Sequence, residues 1–239
     1  MRTFRTIVLA GVALVSFGSL AIPASAVTMK ATYTGNVYSS YDQTGLFGLG
    51  ANSDFDSLPF VLQFIYDPSL PGIDARTTDA ASDLAIGGPD SSGTANPVLS
   101  SQITIAGHTE AVSGDYGGRL YAFNDGSFSE TNHANYGNSL NDQLWAEAWS
   151  NSAYFPPNLE TSVPLTLITG FATGLDPYGT GYFQFIGADH NAYGSLNLLT
   201  VEISQVSAVP LPAALPLLAG GLAGLAYIAR RRQKAAKAA

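Results

Sequence analysis

Hydrophobic and polar residues alternate along several short stretches of the chain, which is typical of β-strands that bury one face. The clearest stretch is LPFVLQFIYDP, in which every second residue from Phe60 to Tyr66 is hydrophobic. Asp67 and Pro68 follow it and predict its end, because proline has no amide hydrogen to donate to a sheet. Similar alternation predicts six further strands, at 28–38, 101–107, 118–125, 163–172, 181–187 and 198–206.

Turn-forming residues separate these strands. The sequence shows neither the alternation of strands and helices that builds parallel sheets nor an internal repeat. The chain has 239 residues, with 25 glycines and only 12% charged residues, a composition that favours a loop-rich β protein. We therefore predict an all-β fold, with a single antiparallel, jelly-roll-like β-sandwich ectodomain over 27–208. We expect the last strand to pair with or near the first and 77–100 to form a long loop, whereas 142–149 fits a strand or a short helix.

Residues 1–26 predict a secretory signal peptide with a helical apolar segment. Arg2 and Arg5 precede an apolar run, and Ala24-Ser25-Ala26 fits the A-x-A pattern at which such peptides are cut. The run is short for a retained membrane helix. We therefore predict cleavage after Ala26 and export of the remainder.

The C-terminal residues 209–239 combine three features in a fixed order. The motif consists of Val209, Pro210, Leu211, Pro212 and Ala213. An uncharged stretch follows, and 211–229 as a helix would be about 28 Å long, against a hydrocarbon core of about 30 Å. The basic cluster that ends it consists of Arg230, Arg231 and Arg232. The apolar length predicts a C-terminal transmembrane helix. The arginines predict its basic stop, because such clusters stay on the cytoplasmic side of the membrane.

This order of motif, apolar helix and arginines resembles the PEP-CTERM sorting signal of Gram-negative bacteria, in its VPLPA variant. Leu211 stands where the parent Pro-Glu-Pro motif has its glutamate. The resemblance implies a precursor that is anchored in the inner membrane until an exosortase-like membrane protease cuts near the prolines. It also implies release to the cell surface or extracellular matrix, and an association with exopolysaccharide and biofilm.

The charge between the two signals is strongly negative. Residues 27–208 contain all 18 acidic residues but only Lys30, Arg76 and Arg119 as cations, so their net charge is −15. Because binding to phosphates needs clustered cations, we expect no nucleic-acid partner. The chain has no cysteine, so no disulfide stabilises it, and the ectodomain must rely on its own core.

The sequence contains no recognisable catalytic constellation. His108, His133 and His190 lie far apart and lack the close pairing of zinc ligands, so we predict unrelated loop or strand-end histidines. The G-x-S-x-G motif of serine hydrolases is also absent. We therefore expect a protein that is not an enzyme and needs no cofactor.

A calcium site remains open as a hypothesis. Asn52, Asp54 and Asp56 alternate as the first ligands of an EF-hand loop do. Ser57 and Gln63, however, stand where that loop has its glycine and its final glutamate. The pattern argues against an EF-hand and leaves a looser oxygen-ligand site among acidic loops.

Two tryptophans offer a possible surface for sugars. Trp145 and Trp149 share a face in either a strand or a helix, because a separation of four fits both periods. Exposed indoles would stack on sugar rings, whereas buried ones would belong to the core, and the usual role of large aromatic residues favours the core.

Together these features predict an exported surface or matrix protein, a non-enzymatic structural or adhesive component linked to exopolysaccharide or biofilm. One alternative is a carbohydrate-binding module that uses tyrosines and tryptophans. A second alternative is a hydrolase that acts on matrix glycans, which would need two facing carboxylates in a cleft.

Overall fold

The computed structural model describes residues 27–89, 95–112, 116–136, 142–168, 176–187 and 189–206. Over these ranges the chain forms twelve β-strands. They are β1 (Met29–Asp42), β2 (Pro59–Tyr66), β3 (Ala75–Thr78), β4 (Ser82–Gly87), β5 (Val98–Ile105), β6 (His108–Val112), β7 (Gly117–Asn124), β8 (Ser129–Tyr136), β9 (Gln143–Ser150), β10 (Val163–Leu167), β11 (Tyr178–Ile186) and β12 (Asn191–Gln205). The all-β prediction is confirmed.

The strands lie in one continuous sheet in the order β3-β4-β7-β8-β9-β11-β12-β1-β2-β5-β6, and β10 pairs with β12. Every strand pairing is antiparallel. The sheet curls, so that β5 packs against β7, β8 and β9. The hydrophobic core fills the space inside this curl.

The first and last strands pair at the middle of the sheet, as predicted. Met29 on β1 lies opposite Gln205 on β12, and the amide of Val206 donates to the Thr28 carbonyl at 2.8 Å. The pairing shifts register next to Gly35, where a Cβ would collide with the backbone of β12, so only glycine fits. Both ends of the described ectodomain therefore lie side by side.

Alternate residues of each strand point into the curl. On β9, for example, Leu144, Ala146 and Ala148 are fully buried, while the residues between them are partly exposed. Large aromatic side chains fill much of the core. A cluster of phenylalanines with ring centroids 5.3 to 6.4 Å apart consists of Phe47, Phe55, Phe183 and Phe185.

The predicted loop over 77–100 is wrong in part. β3 extends to Thr78, β4 occupies Ser82–Gly87, and β5 begins at Val98. The alternating pattern of β4 is obscured because Asp83 takes one of the buried positions. The ambiguous stretch at 142–149 contains strand β9 and no helix.

Within the part of the chain that the structure describes, no helix is long and apolar enough to cross a membrane. The predicted signal over 1–26, with Ala24 and Ala26, lies outside the described residues. The sorting motif, the apolar tail and the basic cluster in 209–239 lie outside them as well.

Candidate functional site

The outer side of β7, β8, β9 and β11 carries a regular array of side chains, which we call the outer face. Its first row is Arg119, Ala134, Trp145 and Tyr182. Its middle row is Tyr121, Asn132, Glu147 and Thr180. Its third row is Phe123, Glu130, Trp149 and Tyr178. Aromatic rings therefore lie on both sides of a row that is rich in hydrogen-bonding groups.

Both tryptophans lie on the outer face, so the expectation that they belong to the core is wrong. Trp145 and Trp149 are partly exposed, because Ala146 and Ala148, the alternate residues between them on β9, point inward. The Trp149 ring lies 5.9 Å from the Tyr178 ring at an angle of 37°. Both indoles are therefore accessible in part from the solvent side of the sheet.

A shallow groove of about 240 Å³ runs beside Trp145. It is lined mainly by Arg119, Asn132, Ala134, Tyr136, Gln143 and Trp145. It therefore combines apolar ring surface with a guanidinium and two amides. This combination of groups occurs in ligand sites, but the volume of the groove lies below the roughly 300 to 1,000 Å³ of pockets that enclose a small molecule.

Asn132 is the most constrained polar residue of the groove. It is only 8% exposed, and its Nδ2 donates to Glu147 Oε2 at 3.1 Å. Its Oδ1 is buried without a hydrogen-bond partner among the described residues. An unsatisfied buried acceptor costs about 1 to 3 kcal/mol. Because this oxygen is closed off from solvent, a ligand in the groove reaches it only if the Asn132 side chain rearranges.

The two carboxylates of the outer face have perturbed protonation. Burial, together with the negative charge of Glu147 and against the opposing charge of Arg119, raises the pKa of Glu130 from 4.5 to about 7. Burial also raises the pKa of Glu147, while the hydrogen bond from Asn132 and the positive charge of Arg119 lower it by less. Glu130 is therefore partly protonated near neutral pH, and its protonated form has a hydroxyl that is able to donate a hydrogen bond.

His133 lies directly behind the outer face, on the inward side of β8. It is fully buried, and its Nδ1 lies 2.7 Å from the Tyr33 hydroxyl. Burial lowers the pKa of this imidazole to about 3, so it is neutral. It is a core residue in the middle of a strand, which differs from the predicted loop or strand-end position.

The other two histidines, in contrast to His133, are at least partly exposed. His108 begins β6, and His190 precedes β12 with its Nε2 3.2 Å from Asp142 Oδ1. Both influence Glu110, whose pKa is raised chiefly by burial. Among the described residues, no group of three or more His, Cys, Asp or Glu is arranged to hold a metal ion.

The calcium candidates lie in the exposed loop between β1 and β2. Asn52 Oδ1 accepts a hydrogen bond from the Tyr41 hydroxyl at 2.8 Å, and Asp56 Oδ1 accepts one from Ser40 Oγ at 2.8 Å. These contacts give Asn52 and Asp56 a role in holding the loop to β1. Asp54 is exposed between them.

Sequence reasoning identified Trp145 and Trp149 but missed the polar members of the outer face, Arg119, Glu130 and Asn132. One available signal was the alternation of Trp145, Glu147 and Trp149 with small or aliphatic residues, which places a carboxylate between the indoles. The strand that supplies Glu130 and Asn132 had no hydrophobic period to reveal it.

No family model, no curated protein and no solved structure matches this chain.

Proposed function

We propose that this protein is an exported, non-enzymatic component of the cell surface or extracellular matrix of a Gram-negative bacterium, and that it binds extracellular polysaccharide through its outer face. The outer face is the observation that carries the binding proposal. Its partly exposed Trp145 and Trp149 flank a row that holds Asn132 and Glu147. Sugars present flat C–H surfaces and hydroxyls at their edges, and this arrangement offers a partner to each.

The export part of the proposal rests on the two ends of the chain. The signal over 1–26 directs secretion, and the tail over 209–239 holds the precursor in the inner membrane until an exosortase-like protease releases it. We also propose that the curled sheet is a variant of the predicted jelly-roll-like sandwich, because its two arms enclose one core between them. No cofactor is required for this role.

A glycan hydrolase is a second candidate, which the pair of carboxylates favours. Glu130 and Glu147 share the outer face, and the raised pKa of Glu130 to about 7 is one that a general acid needs. Both residues, however, lie on an open sheet surface instead of facing each other across a cleft. We therefore propose binding without cleavage, which predicts that bound oligosaccharides are recovered intact.

The sorting proposal is tested by fractionation and mass spectrometry in a host that has an exosortase. The exported protein should have lost 1–26 and the tail beyond a cut near Pro210 or Pro212. A chain that ends at Ala208 should appear in a different cell fraction. An intact mass that retains the tail, with unchanged fractionation of the shortened chain, would refute sorting.

The binding proposal is tested by pull-down of the purified ectodomain on immobilised polysaccharides. We expect Trp145→Ala and Trp149→Ala to abolish retention. Tyr38→Ala is the matched control, because Tyr38 is a 72% exposed aromatic residue that is not part of the outer face. Equal retention of all three variants would rule out the outer face as the binding surface.

A further inference from the structure

The aromatic residues of the outer face form two cross-strand pairs. Trp145 lies opposite Tyr182, and Trp149 lies opposite Tyr178. Side chains at such opposite positions have Cβ atoms about 4.5 to 5.5 Å apart, and the Trp149 and Tyr178 rings are 5.9 Å apart. Trp149 and Tyr178 therefore form one aromatic platform, and Trp145 with Tyr182 occupies the equivalent position in the first row, which we treat as the second platform.

The two platforms are too far apart to contact the same sugar ring. Trp145 and Trp149 are four residues apart on one strand, which corresponds to about 13 Å. Glu147 and Thr180 occupy the row between them, opposite each other on β9 and β11. A ligand that contacts both platforms must therefore cross this polar row with at least one further ring.

From this spacing we infer that the outer face binds a run of three or more residues within an uncharged polysaccharide. The inference rests on the proposed function and specifies its ligand class. The two platforms each hold one ring, and the ring between them is bound through its hydroxyls by the middle row.

The middle row is suited to hydroxyl groups. Thr180 is partly exposed, and its hydroxyl donates to the Leu196 carbonyl at 3.4 Å, which leaves its oxygen as an acceptor for a ligand. Glu147 is partly exposed and accepts one hydrogen bond from Asn132. A hydroxyl donates to such acceptors, whereas a carboxylate or sulfate on the ligand has no proton to give them.

The charge of the ectodomain selects against acidic polysaccharides. The outer face carries Glu130 and Glu147 against Arg119. The surrounding 27–208 contain 18 acidic residues and three cations in all. Chains of uronates, sulfates or phosphates would be repelled over this surface, because their binding needs an excess of positive charge.

The experiment uses a glycan array that carries neutral and acidic oligosaccharides of one to six residues, followed by calorimetry on the best neutral series. We expect affinity to rise at least tenfold between the disaccharide and the trisaccharide. We also expect acidic chains of equal length to bind at least tenfold more weakly. Trp145→Ala and Trp149→Ala should each lower trisaccharide affinity at least tenfold, while Tyr38→Ala leaves it unchanged.

Trp145→Tyr and Trp149→Tyr guard against loss of folding, since tyrosine keeps an aromatic platform. They should retain trisaccharide binding within about threefold in proteins whose melting temperature matches the wild type. Equal affinity for monosaccharides and longer chains, still lost in the alanine variants, would overturn the inference and leave sugar binding intact.

Two other results would overturn both the inference and the proposed function. The first is that the protein binds no glycan on the array in a way that depends on Trp145 and Trp149. The second is a Trp145→Ala, Trp149→Ala double variant that changes the sedimentation of the protein while glycan binding stays as in the wild type. That outcome would make the outer face an interface between copies of the chain.

Discussion

The Nδ1 atom of His133 lies 2.7 Å from the hydroxyl oxygen of Tyr33, and this contact joins β8 to β1 through the core. The rings of Phe64 and Tyr66 pack around the same imidazole, with centroids 5.7 and 4.8 Å away. The other ring nitrogen, Nε2, is buried without a partner among the described residues. A proton on this ring would place a charge in the core, where none of the described residues forms an ion pair with it.

We expect the protein to lose stability in acid through His133. The unfolded imidazole takes up a proton near its ordinary pKa of 6.5, whereas the folded one does so only near 3. The contribution of this group is therefore complete above pH 6.5 and is lost as the pH falls towards 3. The gap between the two values corresponds to roughly 4 to 5 kcal/mol.

Urea unfolding at pH 7 and pH 4 measures this effect in the wild type and in His133→Gln. Glutamine keeps an acceptor for Tyr33 but does not titrate, so the variant should show a much smaller difference between the two pH values. His108→Gln serves as the control, because His108 is exposed at the start of β6. Parallel pH dependence of the wild type and His133→Gln would contradict the role of the imidazole.

Glu130 should act in the opposite direction. Its pKa is raised from 4.5 to about 7 in the folded state, so it favours folding below pH 4.5 and loses that contribution as the pH rises through 7. We expect Glu130→Gln to gain stability relative to the wild type between pH 5 and pH 8. Because the group is half-exposed, the gain should stay within about 1 kcal/mol.

Melting temperatures of the two proteins at both pH values give this difference. Glu202→Gln, which removes an exposed carboxylate on β12, is the matched control. A difference between Glu130→Gln and the wild type that does not change with pH would show that solvent screens this carboxylate fully.

Asp83 is one of the residues that attach the 151–162 segment to the sheet, and it should contribute strongly to stability. It is fully buried, and its Oδ2 accepts from Arg76 Nη2 at 2.9 Å and from the Leu159 amide at 3.0 Å. Asp83→Asn should cost roughly 3 kcal/mol, because it leaves a partly buried guanidinium without its closest anion. Urea unfolding at pH 7 measures the loss.

Glu160→Gln provides the comparison for Asp83→Asn. Glu160 lies 3.6 Å from the same guanidinium but is far more exposed, so its removal should cost under about 1 kcal/mol. Equal losses in the two variants would mean that burial adds nothing to the strength of the Asp83 contact.

We expect the melting temperature to be the same in millimolar calcium and in excess chelator. Two of the calcium candidates, Asn52 and Asp56, already accept hydrogen bonds from Tyr41 and Ser40. Differential scanning fluorimetry under both conditions tests this. A rise in calcium that disappears in Asp54→Asn and Asp56→Asn would instead establish a site in this loop.

The strands that the sequence predicted are those with a two-residue hydrophobic period. β1, β2 and β12 alternate clearly because one side of each lines the core. β8 was missed, since its sequence SETNHANY is polar on both sides. His133 and Asn135 take inward positions that aliphatic residues normally fill, and their burial depends on partners from distant strands.

The candidate site could be predicted only in part. The spacing of Trp145 and Trp149 predicts that they share a face of the strand. It does not predict which face is buried, because that depends on the neighbouring strands. Arg119 and Glu130 belong to the site through the registers of β7, β8 and β9. Pairings between strands separated by loops of variable length are not encoded in local periodicity.

The pairing of β1 with β12 has a consequence for biogenesis on the proposed export route. The first strand to leave the secretion channel waits for the last one, because Met29 lies opposite Gln205. The ladder between β1 and β12 joins residues that are far apart in the sequence. Because such long-range pairings form slowly, we expect the sheet to close late in folding. On the proposed route, the β1–β12 ladder would therefore be completed only after the whole ectodomain has crossed the membrane, with the C-terminal tail still held there.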